Sequence, residues 1–422
     1  MRLLSYLSPC WLMLLLWGLS ACESAGPIPL PPEPSVFQPQ LFAHRTENQI
    51  LLNWGWFTWD NDPEIEGVSP TEFTVLLSEN RPDNLTEVAL LDGNTTSFVL
   101  DGLIANQVYY VALRANADSA KSSQSRPIMV MPGEEPLMRA VLEEDGRIRT
   151  HASWGPQDLW ITYERLMPEG KRQLYRFDFR TNKESFVRNG YAPSSARNQD
   201  RLAFLLDPND LTTEPSPNNS LLIFSENGTE VLFESESRQA SPTWSPEGEQ
   251  LAFLSNVGGE EWALWRMKAE AGAEPDRVIG SFPLPEKSLE PQERAAQNPV
   301  WTPEGEAIFY DRYVDKGGWL SRDIMAVSIE SGNEKSLIAS EWNDMAPACH
   351  PDGQQIAFLS DRSGKLAIWL WNQETLALTQ LTGSSDLPLD PASQLSWDAH
   401  GRRLLFTSLR DDGSSRLMYL ER

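Results

Sequence analysis

The sequence is poor in the residues that metal sites and nucleophilic active sites use most. Its 422 residues include three cysteines and four histidines. Cys10 and Cys22 lie near the amino terminus, in a leader and at its predicted processing site, so only Cys349 is left within the folded part. No intrachain disulfide is therefore expected, even in an oxidising compartment. We predict no metal centre, no cofactor and no catalytic residues, and we expect Cys349 to be a buried structural thiol.

Basic residues are scarce relative to acidic ones. The chain has 35 Lys and Arg against 60 Asp and Glu, which gives a formal net charge of −25. Such a field repels nucleic acids and anionic lipid headgroups, which excludes both as partners. Basic proteins, cations or neutral glycans remain as possible binding partners. The acidic segment 60–66 lacks the alternating ligands and the glycine of an EF-hand loop, so we interpret it as a solvated loop.

No apolar run is long enough to span a membrane. The longest, Trp11 to Trp17, follows a short basic start and precedes Leu19-Ser20-Ala21-Cys22, which is the layout of a signal peptide. The last four residues resemble a bacterial lipobox, which implies removal of residues 1–21 and acylation of Cys22. Two or three acyl chains would anchor the protein stably. The alternative is an ordinary signal peptide cut near Ala21. Glu23 after the cysteine implies sorting to the outer membrane, with the protein facing the periplasm or the cell surface.

One phrase recurs from Trp154 onwards. It is a turn of the type Pro-x-Trp-Ser-Pro-Glu-Gly, followed by two apolar strands, and clear copies begin at Pro242, Pro299 and Pro347. The third copy has Cys349 in place of tryptophan. Landmarks at positions 154, 195, 244, 301, 349 and 397 are separated by 41, 49, 57, 48 and 48 residues. A period of roughly 40 to 50 residues with about four strands per unit predicts the blades of a β-propeller.

The sixth repeat has no fourth strand of its own. A propeller with one missing outer strand has an unpaired edge, which favours aggregation unless another segment covers it. The apolar segment Leu137 to Leu142 lies directly before the first repeat. We therefore predict that it pairs with the last strand, around Leu417 to Leu420, and closes the ring.

The repeats resemble those of the TolB-type six-bladed propeller. Pro347 through Trp369, with Ser360-Asp361-Arg362-Ser363-Gly364 between its strands, matches the family's pattern almost throughout. The resemblance covers about residues 137–422. It implies a six-bladed propeller over residues 134–422 and the family's habit of binding envelope proteins, without naming a partner.

Two further segments precede the repeats. Residues 22–40 are rich in proline and predict an extended spacer. Residues 41–133 show alternating apolar positions typical of strands, and Leu103 to Val111 resembles the fibronectin type III signature. That resemblance implies a β-sandwich with Tyr109 as corner tyrosine and Trp54 in the core. The predicted fold class is all-β: a fibronectin type III-like sandwich followed by the propeller.

The candidate binding residues lie between second and third strands. The pairs Asp311-Arg312, Asp361-Arg362 and Arg410-Asp411 recur there, as ion pairs between blades or as part of a ligand site. The connections 207–219, 280–298, 312–321 and 383–393 are long, which favours a binding surface on that face of the ring over mobile insertions without a ligand. The third of these carries Tyr313, Lys316 and Trp319, an aromatic and charged mixture suited to interfaces.

These observations favour a lipid-anchored extracytoplasmic binding or scaffold protein. Its partner would be an envelope protein or glycan bound on one face of the propeller. We expect it not to be an enzyme, since no Gly-x-Ser-x-Gly motif occurs. The alternatives are an enzyme centred on the channel that cleaves a glycan or peptidoglycan fragment, and a passive stalk. A channel that gathers three or more carboxylates or histidines around one point would indicate the enzyme.

Overall fold

The computed structural model describes most of the chain after residue 36. The described ranges are 37–45, 48–58, 70–79, 81–117, 120–133, 136–142, 145–168, 170–206, 220–235, 237–259, 262–280, 296–317, 320–383 and 388–422. The predictions for the leader, Cys22 and residues 22–36 of the spacer fall outside these ranges, as does Trp319. Residues 37–40, predicted as the end of the spacer, belong instead to the strand Phe37–Arg45, where they pair with a neighbouring strand. Among the helices in these ranges, none combines the length and apolar character that crossing a membrane requires.

Eight strands precede residue 133 and form two antiparallel sheets. They are β1 (Phe37–Arg45), β2 (Ile50–Thr58), β3 (Glu72–Glu79), β4 (Thr86–Asp92), β5 (Ser97–Leu100), β6 (Tyr109–Ala117), β7 (Ala120–Gln124) and β8 (Ile128–Val130). One sheet has the order β1-β2-β5, and the other has the order β4-β3-β6-β7 with β8 also on β6.

The two sheets share one apolar core. Alternating residues from both of them, such as Leu52 and Val111, are fully buried in it. Trp54 and Phe73 meet edge to face across the core, with ring centroids 5.5 Å apart. The Tyr109 hydroxyl accepts a hydrogen bond from the Ile104 N–H at 3.0 Å, the kind of contact that a corner tyrosine makes. These residues form a β-sandwich; its assignment as a fibronectin type III module and its domain limits stay predictions.

The remaining strands form six four-stranded antiparallel sheets, here called blades 1 to 6. Blade 1 has β10 (Ile148–Trp154), β11 (Trp160–Leu166), β12 (Arg172–Asp178) and β13 (Lys183–Asn189). Blade 2 has β14 (Tyr191–Ser195), β15 (Leu202–Leu205), β16 (Ser220–Ser225) and β17 (Gly228–Glu234). Blade 3 has β18 (Gln239–Trp244), β19 (Gln250–Ser255), β20 (Ala263–Lys268) and β21 (Asp276–Ile279). Blade 4 has β22 (Gln297–Trp301), β23 (Ala307–Asp315), β24 (Leu320–Ser328) and β25 (Glu334–Ile338). Blade 5 has β26 (Asp344–Cys349), β27 (Gln355–Ser360), β28 (Ala367–Asn372) and β29 (Leu378–Gln380). Blade 6 has β30 (Ser396–Trp397), β31 (Arg403–Leu409), β32 (Ser415–Glu421) and β9 (Leu137–Ala140).

The blades form a closed ring. Each first strand contacts the first strand of the next blade, and β30 of blade 6 contacts β10 of blade 1. Every second strand places one large aromatic side chain between neighbouring blades, each 5% exposed or less: Tyr163, Phe204, Phe253, Tyr310, Phe358 and Phe406. The predicted all-β propeller is confirmed, because the alternating pattern of each repeat buries both faces of its sheet against its neighbours.

The predicted closure of the ring is confirmed. Strand β9 pairs antiparallel with β32, and Met138 lies opposite Leu420. The Val141 N–H then donates to the Leu417 carbonyl at 2.9 Å, which continues the pairing past the end of the strand. The segment before the first blade thus supplies the outer strand of the last one.

One of the expected long loops is a strand hairpin. Residues 312–321 were expected to form a long connection, but β23 and β24 pair out to Asp315 opposite Leu320. Tyr313 and Val314 have aromatic and β-branched side chains, which favour strand conformation. This preference explains why the two strands continue through residues that we expected to form a loop. Residues 207–219, 281–295 and 384–387 belong to the part of the chain that is not described.

The sandwich packs against blade 5. The Met129 N–H donates to the Arg362 carbonyl at 2.6 Å, and Tyr110 stacks on Trp342 with centroids 6.4 Å apart. Gly364 lies so close to the sandwich that a Cβ there would be 2.3 Å from the Leu41 carbonyl oxygen. The connection between the second and third strands of blade 5 is therefore covered by the sandwich.

Candidate functional site

The first strands of the blades surround an axial channel. Its cavity has a volume of about 330 Å³, within the range of small-molecule sites. Residues from every blade line it: Ala152, Ser153, Trp154, Pro193, Ser194, Ser195, Arg197, Ser241, Pro242, Thr243, Trp244, Pro246, Asn298, Pro299, Val300, Trp301, Pro303, Ala346, Pro347, Cys349, Pro351, Gln394, Leu395, Ser396 and Ala399. Hydroxyls and amides dominate the polar part of the lining, and Arg197 is the one charged residue in this set.

Five of the first strands carry the same bulge. The bulge residues have left-handed backbone with φ between 48° and 51°: His151, Ala192, Ser241, Asn298 and Ala346. The pairing register shifts at each of them. A bulge removes main-chain groups from the strand ladder, so these groups need other partners. Left-handed backbone costs conformational energy in residues other than glycine, and here it occurs in five first strands around the channel.

Tryptophan side chains join three pairs of neighbouring blades. Trp154 donates from Nε1 to the carbonyl of Ser396, Trp244 donates to that of Ser194, and Trp301 donates to that of Thr243, at 2.8 to 3.2 Å. Each bond links one first strand to the first strand of the preceding blade. The tryptophan of the repeated phrase is therefore a tie between blades.

Blades 2 and 5 lack that tryptophan and use a carboxylate instead. They have Ser195 and Cys349 at its position. The Glu164 carboxylate of blade 1 accepts from the Ala192 N–H of blade 2 at 3.0 Å. Asp311 of blade 4 accepts from the Ala346 N–H of blade 5 at 2.9 Å. In both cases the acceptor lies on the second strand of the preceding blade, and the donor is the bulge amide.

The surroundings of the two carboxylates correspond position by position. Glu164 lies 3.4 Å from the Nδ1 atom of His151 and 3.4 Å from a guanidinium nitrogen of Arg172. Asp311 accepts from the Nδ2 of Asn298 at 2.9 Å and pairs with Arg322. His151 and Asn298 are the bulge residues of blades 1 and 4, and each arginine lies on the third strand of its blade.

The pKa values of the two carboxyl groups are shifted in opposite directions. Burial opposes ionisation of Glu164, but His151, the Ala192 N–H and Arg172 together hold its pKa below the ordinary value. Asp311 is fully buried, and burial raises its pKa in spite of its partners. The same chemical group thus has opposite tendencies on opposite sides of the ring.

A second charged group repeats in the same two blades. Arg165 lies 3.4 Å from Glu184, which also accepts from the Tyr163 hydroxyl. Arg312 pairs with Glu334 at 2.7 Å. Burial raises the pKa of Tyr163 and likewise that of Tyr310, the equivalent tyrosine beside Glu334. Blades 1 and 4 therefore share the order tyrosine, acid, arginine on their second strands.

The structure places the predicted binding residues in contacts within and between blades. Lys316 pairs with Asp323 at 2.5 Å, and the Arg322 guanidinium lies 5.3 Å from the ring centre of Tyr313. Asp311 and Arg312 occupy the two clusters described above, so the structure does not bring them to one point with Lys316. Their role in binding stays a prediction.

The blade 5 candidates lie next to the sandwich. The Asp361 carboxylate accepts from the Nδ2 of Asn343 at 2.7 Å. Arg362 is 3% exposed, pairs with Asp344 and lies over the rings of Trp342, Phe358 and Trp369. A binding role for this pair also stays a prediction.

The thiol of Cys349 lies in the channel wall. Burial raises its pKa, which favours the protonated thiol over the thiolate. No cluster of three or more His, Cys, Asp or Glu residues with metal-binding geometry occurs in the described ranges. Sequence reasoning missed Glu164 and Arg197. The order tyrosine, acid, arginine occurs at the same position of two repeats, in Tyr163-Glu164-Arg165 and Tyr310-Asp311-Arg312. This recurrence was the signal in the sequence that could have identified Glu164.

Comparison with known proteins gives distant relatives. No family model matches the chain. A stretch of 155 residues, 29% of this chain, is 27% identical to the uncharacterized peptidase YuxL of Bacillus subtilis and spans 22% of its length. A stretch of 190 residues, 37% of this chain, is 24% identical to an uncharacterized protein of Agrobacterium fabrum and spans 62% of it. This chain thus covers less than two thirds of the length of either relative.

Solved structures with a similar fold include a protein named TolB and proteins named as enzymes. A putative TolB from Agrobacterium tumefaciens is 16% identical, with a TM-score of 0.38 over 84% of this chain and 86% of that one. An oligogalacturonate lyase from Vibrio parahaemolyticus is 13% identical, with a TM-score of 0.45 over 92% and 97%. A puromycin-hydrolyzing peptidase of Mycobacterium tuberculosis is 14% identical, with a TM-score of 0.43 over 91% and 51%.

These comparisons contradict the prediction that the chain is not an enzyme. A sequence relative is named a peptidase, at 27% identity over 29% of this chain. The prediction relied on the absence of one hydrolase motif, and a propeller can place catalytic groups without that motif.

Proposed function

We propose that the protein is an extracytoplasmic binding protein that is anchored by lipid at Cys22 and takes up part of another envelope component in its axial channel. The supporting observation is the channel itself. Its volume is about 330 Å³, and hydroxyl and amide groups from the first strands of the ring face it. A concave site with a few polar groups on rigid strands is the usual form of a ligand site.

The surroundings of the channel favour binding on a fixed scaffold. Carboxylates accept from the bulge amides of Ala192 and Ala346, and three tryptophan indoles join neighbouring first strands, so these bonds hold the lining strands in place without a ligand. The sandwich covers the connection at Gly364 of blade 5. The binding partner therefore meets a ring in which part of one face is already occupied.

Site-specific crosslinking tests this proposal. A photo-crosslinking amino acid at Gln394, which lines the channel, should capture a discrete component from detergent-solubilised envelopes. The same amino acid at Glu230, exposed on the outer strand β17, is the matched control. Capture at neither position, or equal capture at both, would contradict binding at the channel.

A second candidate is an enzyme whose substrate enters the same channel. The name of the Bacillus relative favours it. Asn298 in the channel wall donates to Asp311, whose pKa is raised, and perturbed carboxyl groups are frequent at catalytic sites. Mass spectrometry of peptides and glycan fragments incubated with the protein tests it. Products that form with the parent and not with Asn298→Ala would establish turnover at the channel.

A further inference from the structure

One side chain gives the channel a charge. Arg197 lies in the turn between the first and second strands of blade 2, and the same position in the other turns is uncharged: Pro156, Pro246, Pro303, Pro351 and Ala399. Its guanidinium donates to the carbonyl of Trp397 in blade 6. Since blade 1 lies between blades 2 and 6, the side chain extends past a whole blade along the channel wall.

The positive charge of Arg197 is not matched by a carboxylate. The nearest acidic groups, Asp158 and Asp398, influence it only through space. Asp158 accepts from the Ala399 N–H at 2.8 Å, and Asp398 accepts from the Nε of Arg403 at 2.9 Å. In the described part of the chain, no carboxylate lies within ion-pair distance of Arg197. The side chain is partly buried in the channel wall and uses one donor on the Trp397 carbonyl, so a guanidinium with five N–H groups retains donors for a ligand.

The rest of the lining suits a ligand with few charges. Hydroxyls at Ser153, Ser241 and Thr243 and the amides of Asn298 and Gln394 can bond to neutral polar groups. The chain as a whole carries a net charge of −25, so a polyanion is repelled before it reaches the channel. A single carboxylate on an otherwise neutral ligand fits both the local cation and the surrounding field.

We propose that Arg197 binds the carboxylate of a small monoanionic ligand in the axial channel. This inference rests on the proposed binding function and names the chemistry of its ligand. The carboxylate is either the carboxyl terminus of a peptide or that of a sugar acid. Guanidinium groups bind carboxylates through two parallel hydrogen bonds, which gives direction as well as affinity.

Calorimetric titration of the full chain with paired probes tests the proposal. The peptide pair is N-acetyl trialanine and its carboxy-terminal amide, and the sugar pair is glucuronic acid and glucose. At least one acid should bind about tenfold or more tightly than its neutral counterpart, which is the contribution of a charged hydrogen bond. The pair that shows the difference identifies the source of the carboxylate.

Variants locate the effect. Arg197→Gln should abolish the preference for the acid, and Arg197→Lys should keep part of it. Arg201→Gln is the matched control, because Arg201 lies four positions further on and donates to the Ala269 carbonyl instead of lining the channel. The melting temperature of each variant shows whether it is folded. If Arg197→Gln does not fold, a reduced preference for the acid in Arg197→Lys is the result that tests the proposal.

Three results would overturn the inference: no acid binds, acids bind no better than their neutral counterparts, or the preference survives in Arg197→Gln. If these occur while Gln394 still crosslinks an envelope component, the carboxylate is wrong and the binding function stands. If crosslinking at Gln394 fails as well, the proposed function fails with it.

Discussion

Replacing Asp311 by alanine should destabilise the propeller more than any exposed substitution. Its side chain is 0% exposed, pairs with Arg322 and accepts from Asn298 and from the Ala346 N–H of the next blade. Asp311→Ala leaves the Arg322 guanidinium buried without a partner and removes the acceptor of the bulge amide. Breaking one side of a buried ion pair costs about 3–5 kcal/mol, and the lost acceptor places this variant at the upper end.

Urea denaturation followed by tryptophan fluorescence measures the loss. The double variant Asp311→Asn with Arg322→Met keeps an oxygen for the Ala346 N–H and removes both charges, so it should recover most of the stability. Asp83→Ala is the control, since its ion pair with Arg81 is exposed and its removal should cost no more than about 0.5 kcal/mol. A loss below about 1 kcal/mol for Asp311→Ala, or no recovery in the double variant, would refute the reasoning.

Four further outcomes are expected. Deleting Leu137–Ala140 should cost roughly 3 kcal/mol, at about 1 kcal/mol for each ladder hydrogen bond to β32, and should promote aggregation; a deletion that melts like the parent contradicts the closure. Gly364→Val should loosen the sandwich and increase its cleavage by protease, whereas Gly413→Val, which has similar positive φ and no neighbour within 4 Å, should not. The pKa of Glu164 is lowered in the folded state, so its stabilisation is present above its ordinary value near 4.5 and is lost as the pH falls below it. Glu164→Gln should therefore show a weaker loss of stability than the parent between about pH 5 and 3, and equal slopes count against the assignment. Cys22→Ala should abolish incorporation of a clickable fatty acid, and undiminished label would end the lipoprotein interpretation.

The propeller was predictable because its determinants are local and repeated. Four of the six copies have a turn glycine, as at Gly353 with φ 71°, followed by an apolar strand such as Gln355–Ser360. These features depend on residues within one repeat, so spacing alone revealed them. The closing strand was predictable for a related reason, since an incomplete last blade needs an apolar partner and Leu137–Ala140 was available.

The channel and its charges were not predictable in the same way. Arg197 meets the Trp397 carbonyl 200 positions away, and nothing near it in sequence marks that contact. The hairpin at 312–321 resembled a loop because its glycines stand out, although Tyr313 and Val314 continue the strand. Which side chains meet across the ring depends on the angle between the blades. The spacing of the repeats in the sequence does not predict that angle.

The two kinds of tie between blades account for the degenerate copies of the repeat. In blades 1, 3 and 4 the tryptophan indole donates to the carbonyl of the preceding first strand, as Trp244 does to Ser194, whereas the indole of Trp397 in blade 6 makes no such bond. Ser195 and Cys349 have no indole N–H, so blades 2 and 5 lack this bond, although the Ser195 N–H donates to the Ser153 hydroxyl of blade 1 at 3.1 Å. The preceding blades, and only these among the six second strands, have a carboxylate at the position that accepts the bulge amide: Glu164 and Asp311. The other four second strands have leucine or threonine there, at positions 205, 254, 359 and 407. Each blade that lacks the tryptophan is thus preceded by a blade with a carboxylate that bonds to its bulge amide. The contacts between blades therefore account for the buried carboxylates of Glu164 and Asp311 without a ligand.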